Sequence, residues 1–213
     1  VIPAFNEQRH LTTVISGVYK FCKDIIVVDD GSTDNTAKIA LKFPVTLISL
    51  PINLGKGRAL RIGVEHALTR RATAIITFDA DGQHNPIHIP KFVKALEQFD
   101  LALGTRRGHH PIPLVRKLGN RLASFLIALL YNIRVEDLLC GFRAFTANAY
   151  KKIAWQASGY AVETEMVARV GASNLKFTQI EIENIYLDQF KGVSLLEAIE
   201  VFLSIPRFKI IRN

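Results

Sequence analysis

Two cysteines, Cys22 and Cys140, stand far apart in 213 residues. They are too few and too widely spaced for a disulfide framework or a thiolate metal site. That scarcity fits a reducing, cytosolic setting. No apolar run is long enough to cross a bilayer. The longest, Leu122 to Tyr131, is broken only by Ser124 and falls far short of the about 20 residues a spanning helix needs. The chain carries no internal repeat and no low-complexity tract, which excludes repeat architectures. No signal peptide is visible, and the opening Val1-Ile2-Pro3 reads as the end of a strand, so the native start is expected upstream. Acid is scarce relative to base: 19 Asp and Glu against 27 Lys and Arg give a formal charge of +8. Such an excess favours acidic partners, whether nucleic acid, anionic lipid or phosphorylated substrate, and charge alone does not choose among them. With 49% apolar residues and a mean hydropathy of +0.18, the chain is globular and rather greasy, and not disordered.

The first half alternates apolar runs with helical spacing. Leu11, Val14, Ile15, Val18 and Phe21 recur at helical intervals. Strands are expected at Ile25 to Val28, Val45 to Leu50, Ala74 to Phe78 and Leu101 to Leu103, and helices at Arg58 to Leu68 and Ile87 to Phe99. The strand runs are continuously apolar, which implies burial on both faces. With helices between them they predict an α/β layer fold around a parallel sheet. Ligands in such folds bind beyond the carboxyl ends of the strands, and the acidic motifs of this chain stand at those ends. After Arg107 the character changes. An amphipathic helix is expected over Leu118 to Leu130, with Arg116, Lys117 and Arg121 crowding its start. Short helices near Ala147 to Ile153 and Glu163 to Val170 follow, then a strand-like Phe177 to Tyr186. A last apolar helix, Ser194 to Ile205, precedes a basic tail.

Asp79-Ala80-Asp81 is the central chemical motif. Two carboxylates two residues apart, just past a strand, suit a hard divalent cation that bridges a substrate diphosphate, and Gln83 adds an oxygen ligand. Asp30, at another strand end, can accept from the N–H edge of a nucleobase, while Asp34 reads as a helix N-cap. Asn53-Leu54-Gly55-Lys56-Gly57 opens a helix with glycines and a lysine that can approach phosphates, without full P-loop spacing. Gly104-Thr105-Arg106 and Arg116-Lys117 supply cations suited to phosphate recognition. Asp137 to Arg143 combines a carboxylate, a thiol, a glycine and an arginine; Cys140 lacks a base partner and reads as buried and structural.

In this order and at these spacings, the segments resemble family 2 glycosyltransferases of the GT-A fold, and within them the dolichyl-phosphate mannose and glucose synthases and bacterial polyprenyl-phosphate relatives. The resemblance is carried by Val1 to Glu7, Val28 to Asp34, Asn53 to Gly57, Asp79 to His84, Gly104 to Arg106 and Asp137 to Arg143. It implies a mostly parallel central sheet flanked by helices, with amphipathic C-terminal helices. It also implies a nucleotide-sugar half (1–106), an acceptor half (107–193) and a membrane-proximal segment (194–213). Pro3, Phe5, Glu7 and Asp30 would hold the base and ribose of the donor, with Phe5 where tyrosine is frequent, and Lys56 would approach its phosphates. Asp79, Asp81 and Gln83 would bind Mg²⁺ or Mn²⁺, with the Ala80 backbone near the nucleotide. Arg106 and Arg116 would contact donor and acceptor phosphates. Asn120 stands where some relatives carry serine. In the acceptor-side loop Tyr186 to Ser194, Gln189 replaces an arginine seen in some members, so the phosphate contact would either pass to Lys191, with Ser194 beside it, or be lost.

The implied reaction is an inverting transfer of a hexose from a nucleotide sugar (GDP-mannose or UDP-glucose type) to a polyprenyl or dolichyl phosphate. It would run at the cytoplasmic face of an anionic membrane, with Asp81, Asp137 and Arg106 as catalytic groups. Asp137 is a base if the acceptor is a hydroxyl; with a phosphate acceptor it orients a cationic side chain. Two alternatives are a transferase acting on a sugar hydroxyl and a non-catalytic membrane or partner-binding relative. No nucleic-acid recognition motif accompanies the basic charge.

Overall fold

Short, largely apolar runs lay down the first sheet. The computed structural model describes residues 1–107, 114–183 and 202–209. Strands β1 (Ile2–Ala4), β2 (Ile26–Asp29) and β3 (Thr46–Ser49) pair in parallel, in the order β1-β2-β3. Helices α1 (Leu11–Tyr19), α2 (Thr36–Ala40) and α3 (Lys56–Thr69) make the connections. Every residue of β2 is buried, the reason its sequence is apolar without alternation. Next come β4 (Ala74–Thr77), a 3-10 turn (Pro86–His88), α4 (Ile89–Ala95), β5 (Leu101–Arg107) and α5 (Leu114–Tyr131). They are followed by β6 (Arg143–Thr146), α6 (Ala147–Ile153), α7 (Val162–Gly171), β7 (Phe177–Glu183) and a 3-10 segment, Ile205–Lys209.

The second sheet has the order β4-β6-β5-β7. Its β5–β7 pair is parallel, while β6 runs antiparallel to both β4 and β5. Two hydrogen bonds, Val1 N to Ile76 O at 2.8 Å and Phe78 N to Val1 O at 3.0 Å, carry the ladder from β1 to β4. The mostly parallel layer fold is therefore present, with one strand the sequence did not announce. Arg143-Ala144-Phe145-Thr146 is short and follows a turn-rich stretch, so its pattern is too brief to show a period. The expected Ile87 to Phe99 helix is also divided. Pro86 and Pro90 lack the N–H a continuous helix needs, and Asn85 Oδ1 caps the 3-10 turn by accepting from Ile87 N.

The period-2 alternation of the strands sends neighbours to opposite faces. Ile26, Val28, Leu101, Leu103 and Phe145 join the core formed with α3, α5, α6 and α7. Val27, Ala102 and Ala144 join the core formed with α1 and α4. The molecule is thus three-layered. Helix α7 is almost wholly inside, with Glu163, Thr164 and Glu165 buried among its apolar residues. The expected Ser194 to Ile205 helix falls mostly outside the described residues. Among the described residues no helix is long and apolar enough to cross a membrane.

Candidate active site

The carboxyl ends of β1, β2 and β4, with the start of α3, meet on one edge of the sheet. The turn after β1 is stitched to the turn after β2. Asn6 Oδ1 accepts from Thr33 N at 2.9 Å, Ser32 Oγ accepts from Asn6 N at 2.9 Å, and Thr36 Oγ1 accepts from Glu7 N at 2.8 Å. The N-cap of α2 is Asn35 and not Asp34 as expected; Asp34, one residue earlier, instead ties the two turns together, one oxygen accepting from Thr36 N at 2.9 Å and the other from Gln8 N at 3.1 Å. Pro3 is buried, whereas Phe5 is 44% exposed and turns an aromatic face outward. Asp30 is buried and accepts from two successive amides, Leu54 N at 2.8 Å and Gly55 N at 2.9 Å. Burial lifts its pKa above the usual carboxylate value; the two amides pull against this and the neighbouring Asp29 adds to it. A carboxylate has about four lone-pair sites, so two remain for a ligand.

Asp79 is the most engaged side chain here. Its Oδ1 lies 2.7 Å from Lys56 Nζ and its Oδ2 3.2 Å from His84 Nε2. The same ammonium reaches Glu163 Oε1 at 2.8 Å, so one cation bridges two carboxylates. Burial works against both charges, but the pairing prevails: Lys56 is held above the ordinary lysine value and Asp79 far below the usual carboxylate range. Gly141 leaves room for Asp79, since a Cβ there would meet its oxygens at 2.3 and 2.5 Å, and Thr77 Oγ1 fixes the glycine by donating to its carbonyl at 2.8 Å. His84 is buried against Phe78 and Phe142. An Nε2–H tautomer donates to Asp79 and leaves the buried Nδ1 without a partner.

Asp81 is placed differently. Its Oδ1 accepts from Gln83 N at 2.9 Å, and burial followed by the charge of Asp79 raises its pKa. A carboxylate penalised by burial and by a second carboxylate gains most from a cation. Asp81 and Gln83 offer hard oxygen donors of the kind Mg²⁺ and Mn²⁺ take, with remaining positions for diphosphate and water. The donor set therefore fits such an ion. Among the described residues there is no group of three or more His, Cys, Asp and Glu placed to hold a metal unaided.

At the end of β5, Arg106 and Asp137 form a bidentate pair: Nε to Oδ2 at 2.6 Å and Nη2 to Oδ1 at 2.8 Å, with Arg106 N donating to Oδ2 at 3.2 Å. Burial alone would raise Asp137, but the Arg106 hydrogen bonds and charge, helped by Arg143, hold it below the usual value. Arg143 is fully buried and donates to the carbonyls of Leu138, Cys140 and Glu163, tying the 138–142 turn to α7. Cys140 is buried with its thiol pushed up to about 12, chiefly by burial. It is structural, as its lack of a base partner implied.

One expectation requires correction. The start of α3 does not offer a phosphate cradle. Gly57 N and Arg58 N already donate to Ser158 O at 2.6 and 3.2 Å, and a Cβ at Gly57 would lie 2.1 Å from Ala157 O. The glycines admit another stretch of backbone, and the Lys56 ammonium is committed to carboxylates. Arg116 and Asn120 lie on α5 where side chains are outside the description; Lys191 and Ser194 lie outside the described residues. Glu163, His84, Gly141 and Arg143 are contacts the motifs did not assign. Glu163 in particular reads as a solvent-facing acid in a short amphipathic helix, and only the packing of α7 shows it is not.

The layered sheet with acidic residues at its strand ends matches the GT-A fold. The model of glycosyl transferase family 2 matches residues 1–154, and the chain belongs to that family of enzymes. It is 34% identical to an uncharacterized protein of Methanocaldococcus jannaschii, across 99% of this chain and 91% of that one. It is 29% identical to the UDP-N-acetylglucosamine–dolichyl-phosphate N-acetylglucosaminyltransferase of Methanococcus voltae, across 98% of this chain and 94% of that one. Its fold matches glucosyl-3-phosphoglycerate synthase from Mycobacterium tuberculosis, solved with Mn²⁺, uridine diphosphate and glucosyl-3-phosphoglycerate. That match has a TM-score of 0.77 at 22% identity, covering 99% of this chain and 77% of the other.

Proposed function

We propose that this chain transfers a hexose, with inversion, from a GDP-mannose or UDP-glucose type donor to a polyprenyl or dolichyl phosphate at a membrane surface. The observation that carries the acceptor class is the Arg106–Asp137 pair. A carboxylate bound bidentately to a guanidinium and held at lowered pKa is a poor general base. An acceptor that is already nucleophilic suits such a site, and a phosphate monoester, with its second pKa near about 6, is mostly dianionic at neutral pH. The dolichyl-phosphate relative supports the same acceptor. The dolichyl-phosphate relative is named for a UDP-sugar donor, which supports the UDP type.

The residues then divide the work. Phe5 presents a face for the base, and Pro3, Glu7 and Asp30 frame base and ribose. The Ala80 backbone lies beside the nucleotide. Asp81 and Gln83, with Asp79 behind them, would hold Mg²⁺ or Mn²⁺, which when bound offsets the negative charge growing on the departing diphosphate. Arg106, aimed by Asp137, orients the acceptor phosphate, assisted by Arg116, Asn120, Lys191 and Ser194. An acceptor phosphate oxygen bonds to the anomeric carbon as the bond from that carbon to the diphosphate oxygen breaks. Its electron pair leaves with the nucleoside diphosphate. Catalysis is positioning plus electrostatics.

Residues 1–106 would serve the donor and 107–193 the acceptor. The outer stripe of α5, with Leu122 at 48%, Phe125 at 62% and Leu129 at 69% exposure, would enter the cytoplasmic leaflet with the 194–213 segment. Liposome flotation insensitive to anionic lipid would argue against that placement. The transfer itself is tested with purified protein, a panel of labelled nucleotide sugars, Mg²⁺ or Mn²⁺ and a short polyprenyl phosphate. Metal-dependent label in the organic phase from one donor supports the proposal. Transfer only to a sugar hydroxyl would sink it.

A further inference from the structure

We infer that Lys56 is a positioning residue and the built-in counter-charge of the acidic motif. Bridged between Asp79 and Glu163, it fixes the first carboxylate and restrains how tightly the site takes a divalent cation. The inference rests on the reading of Asp81 and Gln83 as cation ligands. The ammonium stands 2.7 Å from Asp79 and 2.8 Å from Glu163, in side chains only 17%, 19% and 4% exposed. At these distances and this burial a charge interaction is screened far less than at the surface.

The surroundings of Lys56 are built for this bridge. Glu165, two residues beyond Glu163 on α7, accepts from Gln156 N and Ala157 N. This holds the 156–158 backbone so that Ser158 O caps Gly57 N and Arg58 N. Trp155 Nε1 donates to Gly57 O at 2.7 Å, locking the same turn from the other side. The first residue of α3 is thereby fixed against α7 and projects its ammonium to the end of β4. Asp81, two residues past Asp79, lies close enough to feel the charges of both Asp79 and Lys56, so the ammonium offsets part of the negative charge that a divalent cation would otherwise neutralise. Without Lys56 the site is one charge more acidic, and the Asp79 oxygen it occupied is released.

A donor-phosphate role for Lys56 predicts the opposite pattern, and Mn²⁺ binding without nucleotide separates the two. Free Mn²⁺ is titrated by electron paramagnetic resonance against wild type, Lys56→Met and Lys56→Met/Glu163→Gln, with thermal melts of each. The double variant strands no buried carboxylate at 163, so it carries the test if the single one unfolds. Lys56→Met, one charge more acidic than wild type, should bind Mn²⁺ about tenfold tighter; the double variant, with the net charge of wild type but the Asp79 oxygen released, should bind tighter than wild type by a smaller factor, and nucleoside diphosphate affinity at saturating Mn²⁺ is unchanged in both. A merely structural role would instead lower Mn²⁺ binding along with the melting temperature. Mn²⁺ affinity unchanged or weakened in folded variants overturns the inference, the more so if nucleotide affinity falls. Wild type that binds no Mn²⁺ overturns the metal reading as well, so the two failures are told apart.

Discussion

Asparagine at position 137 keeps the shape of the aspartate but not its charge, and so asks whether the carboxylate acts on substrate or on Arg106. Asn has one acceptor oxygen, so one of the bonds at 2.6 and 2.8 Å is lost and the other becomes a neutral-acceptor bond. Hydrogen bonds to charged groups are worth about 1.5–3 kcal/mol, against about 0.5–1.5 for neutral ones. The change is therefore about 2–4 kcal/mol before screening. Arg106 is 28% exposed, which reduces it to about 1–2 kcal/mol. If that loss falls on the orientation of Arg106, transfer slows about 5- to 30-fold, whereas deleting a general base costs about 10²- to 10⁴-fold. The decisive measurement is a cycle of Asp137→Asn, Arg106→Ala and the double variant, by initial rate of label transfer and by denaturant unfolding. If Asp137 works through Arg106, the double variant is no slower than Arg106→Ala alone. Effects that multiply would refute the reasoning and restore Asp137 as a base.

The pH dependence follows in sign. Asp137 is lowered in the folded state, so its stabilising pair is fully present above about pH 4, the unfolded aspartate value, and is lost as pH falls through the lower folded value. The stability difference between wild type and Asp137→Asn should thus be flat from about pH 5 to 8 and shrink in acid; a difference that varies across neutrality would contradict this. Asp81→Ala should abolish Mn²⁺ binding and transfer while the melt is unchanged or rises, because burial and Asp79 already disfavour its charge; transfer retained in chelator would count against the site. Gly141→Ala places a methyl within 2.3 Å of Asp79 Oδ2 and should cost about 1–3 kcal/mol of stability and most of the activity, read by melt and rate. Iodoacetamide should label partly exposed Cys22 in the native protein and leave Cys140, buried with a thiol pKa of about 12, until unfolding; mass spectrometry reads both.

The sequence by itself determined the layered α/β class, because buried strands need apolar residues on both faces and α-helices need a 3.6-residue period. It determined the acidic strand ends, since Asp29-Asp30 and Asp79-Ala80-Asp81 directly follow recognisable apolar runs. The family was legible for the same reason: its motifs are local and ordered. What the sequence did not determine are relations between residues far apart in the chain. Strand β6 is too short to show a period and exists because β4 and β5 supply its partners. Glu163 looks like a surface acid until α7 is seen to be inside. Lys56 beside two glycines suggests a phosphate site, but Ser158, 102 positions from Lys56, takes the amides, and Glu163 and Asp79 take the ammonium. A charge shows in a sequence; its partner, and hence its role, is chosen by the packing that brings distant segments within 3 Å.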